Sequence, residues 1–385
     1  MITSNPVLQK AFFTDTEIFR QPELWAKISD DFKSIKSNLK KFFERVFSNE
    51  NIQVILTGAG TSAFIGDVLL GSFSKNLYDA TTAIATTDLI THPEIYFNKN
   101  KEYLLISFAR SGNSPESAQA IFLSEEFSKK VYHLIITCNN DSELTKAISN
   151  KDSFIILMPP EADDKGLAMT SSFTTMLLAG LLISRINLSE ELARHINILL
   201  GYGQKLLNNH SNDLKEIAEL DFKRAVFLGS GMLKGIARES HLKLQELTDG
   251  KVICKYDSFM GFRHGPKAVI DESTLVVYLF SNNPYVNLYE MDLVNAVANG
   301  RKNLFTLGLM EKEIEAKGTN LNIVLSSNGE RIPEEFLPVV SVLPAQLLGF
   351  YKSLNLGLNP DSPSSSGMIH RVVQGVKIYP ITANK

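Results

Sequence analysis

Apolar residues recur along this chain in two rhythms. In the first fifty positions the rhythm is helical: Phe32, Ile35, Leu39, Phe42, Phe43 and Val46 fall three or four apart and mark one face of an amphipathic helix. Thr14-Asp-Thr-Glu17 has the spacing of a capping box, and Pro22 suits the first turn of the next helix. Residues 1–50 therefore read as N-terminal helices, serving packing or a subunit contact. From Ile52 the rhythm changes to short strand-like runs at 52–56, 81–86, 103–107, 132–137 and 154–158, most of them apolar. Between them the pattern is helical over about 62–76 and 115–129, and mostly helical over 170–207. Apolar strands alternating with helices predict α/β architecture, a parallel sheet flanked by helices on both faces.

The pattern then repeats. Val226-Phe-Leu-Gly-Ser-Gly231 answers Val54-Ile-Leu-Thr-Gly-Ala-Gly60, and Val276-Val-Tyr-Leu-Phe280 answers Leu104-Leu-Ile-Ser-Phe108. Val54 and Val226 lie 172 residues apart, as do Leu104 and Val276. A run at 304–307 answers the strand at 132–137. One offset in one order predicts two domains of the same fold, 51–205 and 218–358, joined near 205–220. An apolar helix over 339–356 closes the second. A turn-rich tail, 359–385, ends in a strand-like run at 372–379.

Composition narrows the function. Net charge is −3 and pI about 6.2, so no nucleic-acid or membrane surface is expected. The apolar run 176–183 falls short of the ~20 residues a membrane helix needs. Cys138 and Cys254 are isolated, which argues against a disulfide framework or a cysteine zinc site. The N-terminus lacks a basic region followed by an apolar one, so a cytoplasmic protein is expected. The seven histidines show no metal-ligand spacing, and no G-x-S-x-G elbow is present.

Candidate chemistry gathers in four places. After the run 226–228 and its glycine turn, Glu239, Lys243 and Glu246 stand at i, i+4 and i+7 on one helical face. That spacing serves a solvated face as well as a catalytic one, in which one carboxylate stays ionised beside Lys243 while the other moves protons. Gly261-Phe-Arg-His264-Gly-Pro266 presents a histidine on a turn. Ser107 to Ser114, with Arg110, Ser111, Gly112 and Asn113, follows a strand and opens a helix. Small residues, hydroxyls and helix amides suit a monophosphate there, and equally a capped turn. Thr170, Ser171 and their hydroxyl neighbours precede another helix, contacting a ligand or capping the helix. Gly58-Ala-Gly60-Thr-Ser62-Ala63 has the outline of a dinucleotide fingerprint without a convincing acidic partner.

Taken together, six segments resemble a known family: LTGAGTSAFIGD (56–67), LLISFARSGNSPES (104–117), AMTSSFTTM (168–176), ARESHLKLQELT (237–248), GFRHGPK (261–267) and PDSPSSSGMIHRVVQGV (360–376). They are similar to two tandem sugar-isomerase (SIS) domains, as in the isomerase half of glucosamine-6-phosphate synthase. More closely they resemble the galactosamine-6-phosphate deaminases, also called tagatose-6-phosphate ketose/aldose isomerases. The resemblance implies a proton shuttle between C2 and C1 by Glu246, with Glu239 and Lys243 as partners. It implies ring opening by His264, reaching the site of the neighbouring subunit of a homodimer. It points to Ser62, Ser111 and Ser114 for sugar-phosphate binding, with Arg110 beside them, and Thr170, Ser171 and Arg371 join the expected substrate-binding set. No metal or cofactor is implied. No glutaminase segment precedes the first SIS domain here, and the tail shows His370-Arg371 with Lys377 later. Both departures favour release of ammonia over amino-sugar synthesis. The alternatives are a plain phosphosugar ketose/aldose isomerase and a non-catalytic phosphosugar-binding protein.

Overall fold

The computed structural model describes residues 12–48, 51–149, 152–187, 191–315, 317–373 and 375–381. The start of the expected helical N-terminus, residues 1–11, lies outside them. Two helices open the described chain, α1 (Phe13–Phe19) and α2 (Gln21–Val46). The first half then runs β1 (Ile52–Thr57), α3 (Thr61–Asn76), β2 (Thr81–Ala83), α4 (Thr86–Thr91), α5 (Pro93–Tyr96), β3 (Glu102–Ala109), α6 (Pro115–Phe127), β4 (Lys130–Thr137), α7 (Glu143–Ala147), β5 (Ser153–Leu157) and α8 (Ser171–Ser184). The long helix α9 (Leu192–Glu219) leads to the second half. This comprises β6 (Arg224–Gly229), α10 (Met232–Leu247), β7 (Ile253–Asp257), α11 (Phe259–Phe262), β8 (Thr274–Leu279), α12 (Pro284–Ala298), β9 (Phe305–Met310), β10 (Leu321–Val324), α13 (Leu337–Ser341) and α14 (Leu343–Asn355). Residues 205–219, expected as a joint, continue α9.

The sheets have the same order. The first is β2-β1-β3-β4-β5 and the second, read from its other edge, is β7-β6-β8-β9-β10, parallel throughout. Register repeats as well: Val54 pairs with Leu104 and Val226 with Val276. This is the tandem α/β architecture that the repeated pattern predicted.

Strand alternation divides the core into layers. Leu104, Ile106 and Phe108 enter a central core shared by both halves, while Tyr103, Leu105 and Ala109 face an outer cluster under α4 and α6. In the second half Leu275, Val277 and Leu279 face the central core, and Val276 and Tyr278 an outer one. With both faces covered, β3 and β8 had to read as unbroken apolar runs. The apolar face of α2 packs inside this chain, on α8 and α9. Glu334–Asn355 is apolar enough to cross a membrane by composition, but 89% of it is buried within the protein.

Three expectations differ from the structure. Thr14 and Glu17 form no capping box, because α1 has Phe12 at its N-cap without a side-chain bond. Both side chains are buried and bind distant partners instead. Thr14 Oγ1 donates to Asp361 Oδ1 at 2.8 Å, and Glu17 Oε1 accepts from the Lys165 amide at 2.6 Å. The strand at 81–86 ends at Ala83, where the chain turns so that the Thr86 amide donates to the Gly58 carbonyl at 2.8 Å and α4 begins. The run 372–379, of which 374 is not described, makes no strand, since neither sheet offers it a pairing partner.

Candidate active site

Helix α10 of the second half crosses α3 of the first. Both helices leave their strands through a left-handed glycine, Gly231 at φ 54° and Gly60 at φ 56°, a conformation that costs a side-chain-bearing residue more. The crossing is tight: a Cβ on Gly235 would lie 2.6 Å from Val68 Cγ2. This approach brings Glu239 to the start of α3, where Thr61 Oγ1 lies 3.4 Å from Glu239 Oε1. Lys243 Nζ stands 3.3 Å from the same oxygen and also contacts Glu246 Oε1. Glu239 and Lys243 are buried, and the Glu246 side chain keeps 17% of its surface.

The electrostatics separate the two carboxylates. Burial pushes the Glu239 carboxyl up to about 8; Lys243 opposes the rise and Glu246 adds to it. Among the described residues Glu239 Oε2 has no hydrogen-bond partner. At neutral pH Glu239 therefore carries its proton. Burial works against the Lys243 charge, but the two carboxylates outweigh it and hold the ammonium above its ordinary range. The arrangement is thus a neutral acid, an ammonium and a cavity-facing carboxylate in sequence.

Lys243 and Glu246 line a cavity of about 790 Å³ between the halves and the tail. Arg110 and Arg371 also line it, and Ala59, Gly60 and Thr61 supply the turn before α3. Arg110 is buried, which lowers its pKa, and it donates to the Leu167 carbonyl at 3.3 Å and to the Arg371 carbonyl. Arg371 Nε donates to the Asp164 carbonyl at 2.7 Å, and its Nη2 to Asp163 Oδ1 at 2.5 Å. The tail is tied a second time where the Ser365 amide and hydroxyl donate to Asp249 Oδ2 at 3.1 and 2.7 Å.

Of the expected residues, Glu246, Lys243, Arg110 and Arg371 meet on this cavity wall, with Glu239 directly behind them. Ser62 is buried, its Oγ 3.9 Å from the sulfur of Met169, which lines the cavity. Ser111 and Ser114 sit on the loop after Arg110. Gly112 turns there at φ 62°, as its sequence position suggested, and Ser114 is the N-cap residue of α6. Thr170 and Ser171 are fully buried and point elsewhere: both hydroxyls and both amides donate to the carboxylate of Asp164. Ser172 adds its amide at 2.9 Å and hydroxyl at 2.5 Å. That carboxylate neutralises the N-terminus of α8, where negative charge is stabilised. His264 is exposed on the turn after α11 and does not line the cavity. Lys377 lies over the ring of Tyr379, 4.9 Å from its centroid.

Sequence reading missed Asp164, Asp249 and Thr61. Asp164 carries no local signal, since its partners depend on the fold of 165–170. Asp249, three residues beyond Glu246, has a left-handed backbone at φ 51°, uncommon for a residue with a side chain. Among the described residues no three His, Cys, Asp or Glu side chains are grouped to hold a metal ion.

Residues 47–184 match the SIS domain family. Over 374 residues the chain is 39% identical to the D-galactosamine-6-phosphate deaminase AgaS of Shewanella sp. strain ANA-3, covering 96% of this chain and 92% of the relative. A Clostridium novyi NT structure provisionally named tagatose-6-phosphate ketose/aldose isomerase superimposes with a TM-score of 0.93 at 40% identity, over 96% of this chain and 95% of that one. The Escherichia coli tagatose-6-phosphate ketose/aldose isomerase does so with a TM-score of 0.88 at 36% identity, over 97% and 98%. Sequence and fold agree along nearly the whole length, and the chain belongs to the AgaS family of SIS-domain proteins.

Proposed function

We propose that the protein is an amino-sugar phosphate deaminase/isomerase that converts galactosamine 6-phosphate and water to tagatose 6-phosphate and ammonia. The observation that carries this reading is the Glu246 carboxylate, held by the buried Lys243 ammonium on the wall of a cavity that Arg110 and Arg371 also line. In this reading the sugar phosphate lies against the 107–114 loop, near Ser62, Ser111, Ser114, Arg110 and Arg371, with the helix amides of α6 completing the cradle. Glu246 removes the C2 proton of the open-chain aldehyde, and the electron pair moves into a C1–C2 enolamine. Glu246 returns the proton to C1, leaving a C2 imine. Water adds to C2 and ammonia leaves, which balances the reaction.

Glu239 is sealed behind Lys243, so Glu246 is the carboxylate that the ammonium holds on the cavity wall. His264 opens the pyranose from the neighbouring subunit of a homodimer. Its exposure, and a cavity lining in this chain that does not include it, support that arrangement. The two free cysteines and near-neutral charge fit a cytoplasmic location, and neither nucleic acid nor membrane enters the reading.

A second reading, a plain ketose/aldose isomerase, draws on the name of the structural relatives and uses the same base. Purified protein incubated with galactosamine 6-phosphate, glucosamine 6-phosphate and tagatose 6-phosphate separates the two. Ammonia from the galacto sugar is the expected result. Aldose–ketose interconversion without ammonia would transfer the function to the isomerase.

A further inference from the structure

We propose that Glu290 fills the ligand crevice of the second half with the chain's own carboxylate, so that each chain binds one phosphosugar although it contains two sheets of the same order. In open parallel sheets, ligands sit outside the carboxyl ends of the strands, where the strand order reverses. In the first half that place is between β1 and β3, where Ala59, Gly60 and Arg110 line the cavity. In the second half it is between β6 and β8, flanked by Ser230 and Ser281.

Glu290 projects from α12 into this second crevice and is fully buried. Its two carboxylate oxygens accept from the Ser281 amide at 3.3 and 3.1 Å. Asn287 Nδ2 donates to Oε2 at 2.9 Å, and the Ser230 side chain lies near enough to favour the charged form of the carboxyl. These groups, an amide and a hydroxyl from the two strand ends with a helix amide side chain, are of the kind that would hold an external oxyanion. Two more carboxylates complete the closure. Glu334 accepts from Ser281 Oγ, and Glu311 from Asn282 Nδ2 at 2.9 Å. The only guanidinium beside them among these contacts, Arg331, stands 3.7 Å from Glu311.

The first half is built without such a plug. Pro115 opens α6 as Pro284 opens α12, so the α6 residue that matches Glu290 is Ile121, an apolar side chain of the outer core, and the counterpart of Ser281 at the strand end is Ala109. The counterpart of Asn282 is Arg110, a cation where the second half has an amide. One half is therefore open with an arginine at its reversal point, and the other is closed by carboxyl side chains. The inference rests on the phosphate-loop reading of the first half for what that open crevice binds.

The test uses selenate, an oxyanion located by anomalous diffraction, soaked into crystals of the wild type and of a variant carrying Glu290→Ala with Glu334→Gln. The wild type is expected to show no selenate between Ser230 and Ser281, and the variant to gain one there. Selenate in the wild-type crevice overturns the proposal, as does an empty crevice in a folded variant. Glu290→Ser, which keeps a hydroxyl for the Ser281 amide, replaces a variant that fails to fold and is read the same way. The 110–114 loop reports separately: no selenate there in either crystal counts against the phosphate-loop reading and leaves the second crevice to be judged on its own peak.

Discussion

Lys243 Nζ and Glu239 Oε1 stand 3.3 Å apart with side-chain exposures of 1% and 0%, yet only Lys243 reaches the cavity. Two residues of one helical face thus serve different surroundings. The lysine presents its charge to the carboxylate that faces the cavity. The glutamate, sealed behind it, keeps a proton that water would have removed.

Glu246→Gln keeps the shape of the base and removes its ability to take a proton. Turnover is expected to fall roughly 10²–10⁴-fold, with little change in phosphosugar binding or in melting temperature. Near-normal ammonia release from this variant would remove Glu246 from the mechanism.

Glu239 gives a pH dependence with a definite sign. Its folded pKa, about 8, lies above the unfolded value near 4.5. Folded chains hold a proton that unfolded chains have released, so stability from this group is full below about pH 4.5 and is lost as pH rises toward about 8, by at most about 1.4 kcal/mol per unit. Glu239→Gln, fixed in the neutral form, is expected to gain stability relative to wild type between pH 5 and pH 8 in urea titrations. A constant difference across that range contradicts a protonated Glu239.

Ser171→Ala distinguishes capping from ligand contact. The hydroxyl donates to Asp164 inside the protein, so the variant is expected to lose about 0.5–2 kcal/mol of stability with KM unchanged. Asp164→Ala strips six donors of their acceptor, at a cost of roughly 3–5 kcal/mol. A rise in KM for Ser171→Ala without a stability change would return Ser171 to the substrate.

Arg371 binds the tail to Asp163 and the Asp164 carbonyl while lining the cavity. Arg371→Ala is expected to raise KM tenfold or more, about 1.4 kcal/mol, whereas Lys377→Ala, lying on Tyr379, leaves kinetics unchanged. Equal effects from both would assign the tail's lysine to the site.

A homodimer with exchanged histidines predicts complementation. Glu246→Gln chains and His264→Asn chains, each nearly inactive, are expected to recover activity when refolded together, because mixed dimers hold one intact site. Mixtures no better than their components would place His264 in its own chain's site or outside catalysis.

Much of this protein follows from local periodicity. The strands 52–57, 102–109, 224–229 and 274–279 were legible because burial on both faces demands unbroken apolar runs, and the second copy of the pattern stated the second sheet. The face shared by Glu239, Lys243 and Glu246 follows from 3.6 residues per turn and needs no tertiary knowledge. Periodicity does not specify long-range partners. The chain alone could not show that Thr14 and Glu17 would abandon a capping box for Asp361 and Lys165, or that Asp164 would take the hydroxyls of 170–172. Nor could it show that the apolar run 372–379 would find no sheet edge, since a strand requires a neighbour as well as a pattern. The proton on Glu239 belongs to the same class. The two glutamates of that face are chemically alike until the crossing of α10 over α3 removes water from one of them, and only the packing of the two halves determines which one that is.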